Sequence, residues 1–167
     1  MVKPFEHVLL NSYKEQMISY MGSHPEAIDE AIQLALSNRQ PHAWRAAWLL
    51  RSMLGENDMR LRAHTKRIVE VLPTRPDNHQ RELLNLLLLM EIGEDDQGYL
   101  FDHCLTLWEK VGKAPSVRLT ALRVIIQIVR RYPELAQEVL PLTQDHYLDN
   151  LSPGVRKAVG RMMSVFS

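Results

Sequence analysis

The segment Pro115–Val124, PSVRLTALRV, decides how the rest of the chain is read. It opens on a proline, which a first helical turn tolerates because its missing N–H has no partner there anyway. Three residues later comes Arg118, followed by small and apolar side chains. A breaker or cap, then two or three residues, then arginine recurs in PHAWRAAWLL from Pro41, in DNHQRELLNL from Asp77, which has lost the proline, and in SPGVRKAVGR from Ser152. The arginines Arg45, Arg81, Arg118 and Arg156 are separated by 36, 37 and 38 residues. A fixed period of this length is the mark of helical hairpins that cannot bury their apolar sides alone and therefore stack.

Outward from these fragments the chain keeps helical spacing, and no run shows the period-2 alternation of a strand. Helices are predicted over 4–21, 25–37, 41–54, 58–72, 78–92, 97–111, 116–131, 133–148 and 153–166. Pro25 and Pro133 fit first turns. Asp77, Ser116 and Ser152 are placed to cap helix starts. Gly22, Gly55, Gly93 and Gly112 lie where helices should stop. Pro141 should kink or split its segment, since it removes a backbone hydrogen bond. Leu100, Cys104, Leu107, Trp108 and Val111 share one stripe of 97–111, a core face.

The segment RELLNLLLLMEI, Arg81–Ile92, is too short to cross a bilayer, which takes about 20 residues. At 100° per residue its apolar arc covers about 260°, wider than a one-sided helix needs. It is expected to be the central helix of the array, with Leu83, Leu87 and Met90 buried. Leu88 and Leu89 are the candidate interface residues.

Pro115–Ala121 and Pro153–Val159 carry Pro-x-Val-Arg-x-x-Ala fragments, the second with Ala158 one place early. At these residues, and more loosely at Pro41–Ala47, the chain resembles HEAT-repeat proteins. The likeness covers about 41–167; residues 4–37 match as a helix pair. It implies an all-α fold, a right-handed α-α superhelix of about four to five hairpins. These would run over 4–37, 41–72, 78–111 and 116–148, with a final helix 153–166, all in one domain 1–167. It implies binding on the inner helical face. It also implies that Arg45, Arg118 and Arg156 tie one repeat to the next.

Composition agrees with a globular helical protein: 46% hydrophobic and 24% charged residues. The N-terminal stretch has no apolar h-region, so a secretory signal is not expected. One cysteine excludes an internal disulfide framework and fits a reducing, cytoplasmic setting. The net charge of zero conceals blocks. Residues 39–81 hold 9 basic and 4 acidic side chains, 82–109 hold 7 acidic and no basic ones, and 110–131 hold 6 basic and no acidic ones. Alternating helices of opposite sign can lie side by side, or the basic blocks can form a stripe for an acidic partner.

Motifs for chemistry are missing. None of the seven histidines forms a His-x-x-x-His pair, and no His-Glu-x-x-His, EF-hand spacing, phosphate-cradling glycine loop or nucleophile elbow occurs. Cys104 reads as a core thiol, one turn from Trp108. No metal site, cofactor, catalytic residue or membrane contact is expected. Trp44 and Trp48 share a helical face, and with Arg51, Arg60, Arg62, Lys66, Arg67 and Arg123 they form the candidate binding surface. The favoured reading is a non-enzymatic scaffold for another protein. The alternative is a nucleic-acid binder or base-processing protein built on residues 39–81, where tryptophan and arginine could stack on bases. HEAT-like alkylpurine DNA glycosylases and bilin lyases find no specific motif match here.

Overall fold

The computed structural model describes residues 4–166, and among them there are helices and turns but no strand. The fold class is the expected one, all-α and HEAT-like. By packing, the chain divides between Ile92 and Gly93 into two compact units. That divide falls inside the segment 78–111 expected to be one hairpin.

The first unit holds α1 (Pro4–Asn11), α2 (Lys14–Ser23), α3 (Ala27–Leu36), α4 (His42–Met53), α5 (Met59–Arg62), α6 (Thr65–Val71) and α7 (Asp77–Leu88). Its hub is α4, which packs on α1, α2, α3 and α7. The reason is in the sequence: Ala43, Ala46 and Ala47 are fully buried beside Leu49 and Leu50. Three small residues let neighbouring helices approach α4 from several sides. Burying Leu49 and Leu50 is worth about 1.5–3 kcal/mol each. In α7, Leu83, Leu87 and Met90 just beyond its end are buried as expected, and so are Leu84 and Leu86.

Three predicted helices are divided. The segment 4–21 breaks between Asn11 and Lys14 because side chains take over the backbone's bonds there. Asn11 Nδ2 donates to the carbonyl of His7 at 2.9 Å, and the Tyr13 N–H donates to Gln16 Oε1 at 3.1 Å. The segment 58–72 becomes α5 and α6 with a turn at Ala63 and His64, then a 3-10 turn at Leu72–Thr74. Asp58 caps α5 by accepting from the Arg60 N–H. Asn57 has φ 50°, a left-handed value that asparagine tolerates better than most residues. Its N–H donates to the carbonyl of Leu89 at 2.7 Å, and its Oδ1 accepts from the Glu91 N–H. Asn57 thus pins the α4–α5 loop to the end of α7.

The second unit holds α8 (Glu94–Glu109), α9 (Pro115–Arg131), α10 (Ala136–Val139) and α11 (Pro153–Met163). Pro141 splits the predicted helix 133–148, as expected. What forms is α10 flanked by 3-10 turns at Pro133–Leu135, Leu140–Thr143 and Asp145–Leu148. Tertiary bonds hold this segment. Trp108 Nε1 donates to the carbonyl of Leu142 at 2.9 Å, and Asn150 Nδ2 donates to the carbonyl of Val111 at 2.9 Å. The densest packing is α8 on α9. Ser152 caps α11 by accepting from the Val155 N–H. Asp77 and Ser116 differ from expectation: they lie inside the first turns of α7 and α9, whose cap positions are Pro76 and Ala114. No described glycine has a positive φ.

Candidate functional site

The repeated arginines are occupied by the fold. Arg45 Nε donates to the carbonyl of Leu9, in the last turn of α1, at 2.9 Å. Arg118 is fully buried. Its Nε and Nη2 both donate to the carbonyl of Trp108 near the end of α8, at 3.1 and 2.8 Å. Nη2 also donates to the carbonyl of Tyr147 at 2.7 Å. Its guanidinium carbon lies 4.3 Å from the Trp108 ring centroid. Arg156 donates to the carbonyls of Leu151 and Asp149. Helix C-termini leave carbonyls without partners and carry partial negative charge, so a cation there meets both needs. Arg81 departs from the series: its Nε meets Glu82 Oε1 at 3.1 Å. Arg75 serves α3 instead, its Nη2 donating to the carbonyl of Leu36 at 2.6 Å. Burial lowers the pKa of Arg75 and Arg118 from the ordinary arginine value.

The candidate surface residues fall on four helices. Trp44 and Trp48 are half-buried and Arg51 exposed on α4; Arg60 and Arg62 are exposed on α5, Lys66 and Arg67 on α6. Arg123 is exposed on α9, in the other unit. Several of these cations are engaged locally. Asp58 accepts from Arg60 Nε at 3.0 Å and Nη2 at 2.8 Å. Those side-chain hydrogen bonds, helped by the charge of Arg60, hold the Asp58 carboxyl at about 2. Arg67 pairs with Glu70 at 3.5 Å, and Arg62 Nη2 donates to the carbonyl of Asn57. Among the described residues Arg51 and Lys66 carry no ion pair. Lys14, not foreseen, lies 5.8 Å from the Trp48 ring centroid, and Arg45 lies 5.7 Å from that of Trp44.

Leu88 and Leu89 are half-buried. The large apolar side chains that stand most open are Tyr13, Met59 and Tyr99, at 81%, 78% and 72% exposure. Sequence reasoning missed all three, because a single apolar residue off the core stripe of its segment breaks no pattern.

Buried titratable groups serve packing. His79 is fully buried; its Nε2 donates to the carbonyl of Ala35 at 2.8 Å and its Nδ1 accepts from Gln40 Nε2 at 3.0 Å. These partners fix a neutral tautomer, and burial lowers its pKa. Cys104 is a buried free thiol whose pKa burial pushes up. Among the described residues no three of His, Cys, Asp or Glu gather where they could hold a metal ion, and no helix is long and apolar enough to cross a membrane.

A family model described as a HEAT repeat domain matches residues 6–165. No curated protein and no solved structure matches the chain.

Proposed function

The chain belongs to the HEAT repeat domain family, and from that membership we propose that it is a non-enzymatic scaffold that binds another protein. The observation that carries the reading is the span of the match, residues 6–165, which makes nearly the whole chain repeat. Proteins of this family generally mediate protein contacts, and the inner helical face is the binding side we assign. The arginine set supports the reading too. Arg45, Arg118 and Arg156 are spent on main-chain carbonyls, and Arg60 and Arg67 on neighbouring carboxylates, so these recurrent and clustered cations already have partners within the fold. Cytoplasmic placement, in keeping with the single thiol, belongs to the same proposal.

The test is capture of a protein partner by the full chain, compared across two sets of variants. Alanine at exposed positions such as Met59 and Tyr99 should weaken capture while leaving the urea midpoint unchanged. The reading fails if only core variants such as Leu83→Ala weaken it. A nucleic-acid binder would instead hold duplex DNA with an affinity falling steeply as salt rises. Such binding, lost on Arg51→Ala/Lys66→Ala, would favour that alternative.

A further inference from the structure

The second unit carries a groove of about 290 Å³ between the first half of α8 and the segment from the end of α9 through α10. Its floor is apolar: Phe101, Ile128 and Leu135. Its walls are acidic: Glu94 and Asp102 from α8, Glu134 and Glu138 from the other side. Among the described residues none of these four carboxylates is in an ion pair. Four like charges around one apolar floor repel one another, and a cation seated there relieves that repulsion.

Gly98 supplies an independent observation. It lines the groove as the fifth residue of a 16-residue helix, where glycine costs about 1 kcal/mol relative to alanine. A β carbon built on it meets nothing within 4 Å. Packing therefore does not require glycine at this position, and the space beside it on the groove wall is open to a larger side chain. On the shoulder stands the exposed Tyr99, one turn from both Asp95 and Asp102.

The carboxylates are spread along the groove and do not converge on a point that could hold a metal ion. That spacing suits a length of chain. The volume is at the low end of small-molecule pockets, which start at roughly 300 Å³, and accommodates one or two side chains. We propose that this groove docks a basic segment of a partner protein, an arginine or lysine laid along Phe101, Ile128 and Leu135 with its charge among the carboxylates. Long basic side chains cover apolar surface with their stems and keep the charged end polar, and a guanidinium also gains from the Tyr132 and Phe101 rings. The proposal rests on the scaffold reading and names the partner's chemistry.

The test uses the full chain and a short fluorescein-labelled peptide alternating arginine with alanine, with glutamate replacing arginine in a control peptide. The basic peptide should bind and the acidic one should not. Glu134→Gln/Glu138→Gln should weaken binding about tenfold, the sum of two partly exposed charge contacts. Gly98→Leu should abolish it while leaving the urea midpoint unchanged or raised, which separates blockage from unfolding. Binding of both peptides alike, binding of neither, or affinity indifferent to Gly98→Leu overturns the proposal. If Gly98→Leu still captures a protein partner, the groove is refuted and the scaffold reading stands. If the wild-type chain captures no protein, the scaffold reading fails first.

Discussion

Replacing Arg118 by methionine removes the guanidinium and keeps most of the apolar stem. Two main-chain carbonyls, those of Trp108 and Tyr147, lose a charged donor. A buried acceptor left without its donor costs about 1–3 kcal/mol, so the pair costs about 2–6 kcal/mol. Loss of the contact over the Trp108 ring at 4.3 Å adds about 1–2 kcal/mol. Against this stands relief from burying a charge, several kcal/mol per ion. That relief is larger here because Arg118 Nη1 lies buried without an acceptor. The net is a destabilisation of about 3 kcal/mol, a large share of the roughly 5–15 kcal/mol of a folded protein. Urea unfolding measures it, followed by the fluorescence of Trp108 in a background with Trp44 and Trp48 changed to phenylalanine. Arg118→Lys should recover less than half of the loss, because an ammonium cannot span both carbonyls and lie flat on the ring. A loss below about 1 kcal/mol for Arg118→Met would refute the reasoning: the hydrogen bonds would then only balance the burial of the charge.

Stability should fall as pH drops below about 6.5. The folded-state pKa values of His79 and His103 are lowered, chiefly by burial, so the unfolded chain takes up protons first. The urea midpoint against pH measures this, and His79→Gln should flatten the slope. Asn57→Ala should cost about 1–2 kcal/mol, from the lost acceptor for the Glu91 N–H and the left-handed backbone; Asn57→Gly, spared the second cost, should be milder. Cys104 should resist a thiol reagent in the native protein and react at the rate of unfolding, since its thiol is buried and its pKa raised. Rapid labelling in native buffer would contradict the assigned core position.

The repeat was legible because it rests on spacing: arginines at a constant interval and apolar residues at helical intervals survive any uncertainty about ends. The role of Arg118 came from the resemblance to HEAT repeats and not from the spacing itself. Breaks made by side chains were not. The interruption after Asn11 depends on where two amides point, and no proline or glycine marks it. Pro141 did mark its break, though not the fact that Trp108 and Asn150 would hold the pieces. The wide apolar arc of Arg81–Ile92 drew attention to α7, whereas the hub of the first unit is α4, where alanines signal close approach more quietly than leucines signal burial. A count of charges by block carries no pairing within the cationic block. Asp58 and Glu70, inside the same block, neutralise Arg60 and Arg67. The groove lies between residues 94–102 and residues 128–138, and no local pattern in the sequence joins the two segments.

Photo-crosslinking decides most directly between a protein scaffold and a nucleic-acid binder. A photoreactive residue placed at Tyr99 in one variant and at Arg51 in another reports what each surface meets in cell extract. Saturable crosslinks to protein from position 99, with none to nucleic acid from position 51, are the expected result. Nucleic-acid adducts at position 51 without protein adducts at position 99 would contradict it.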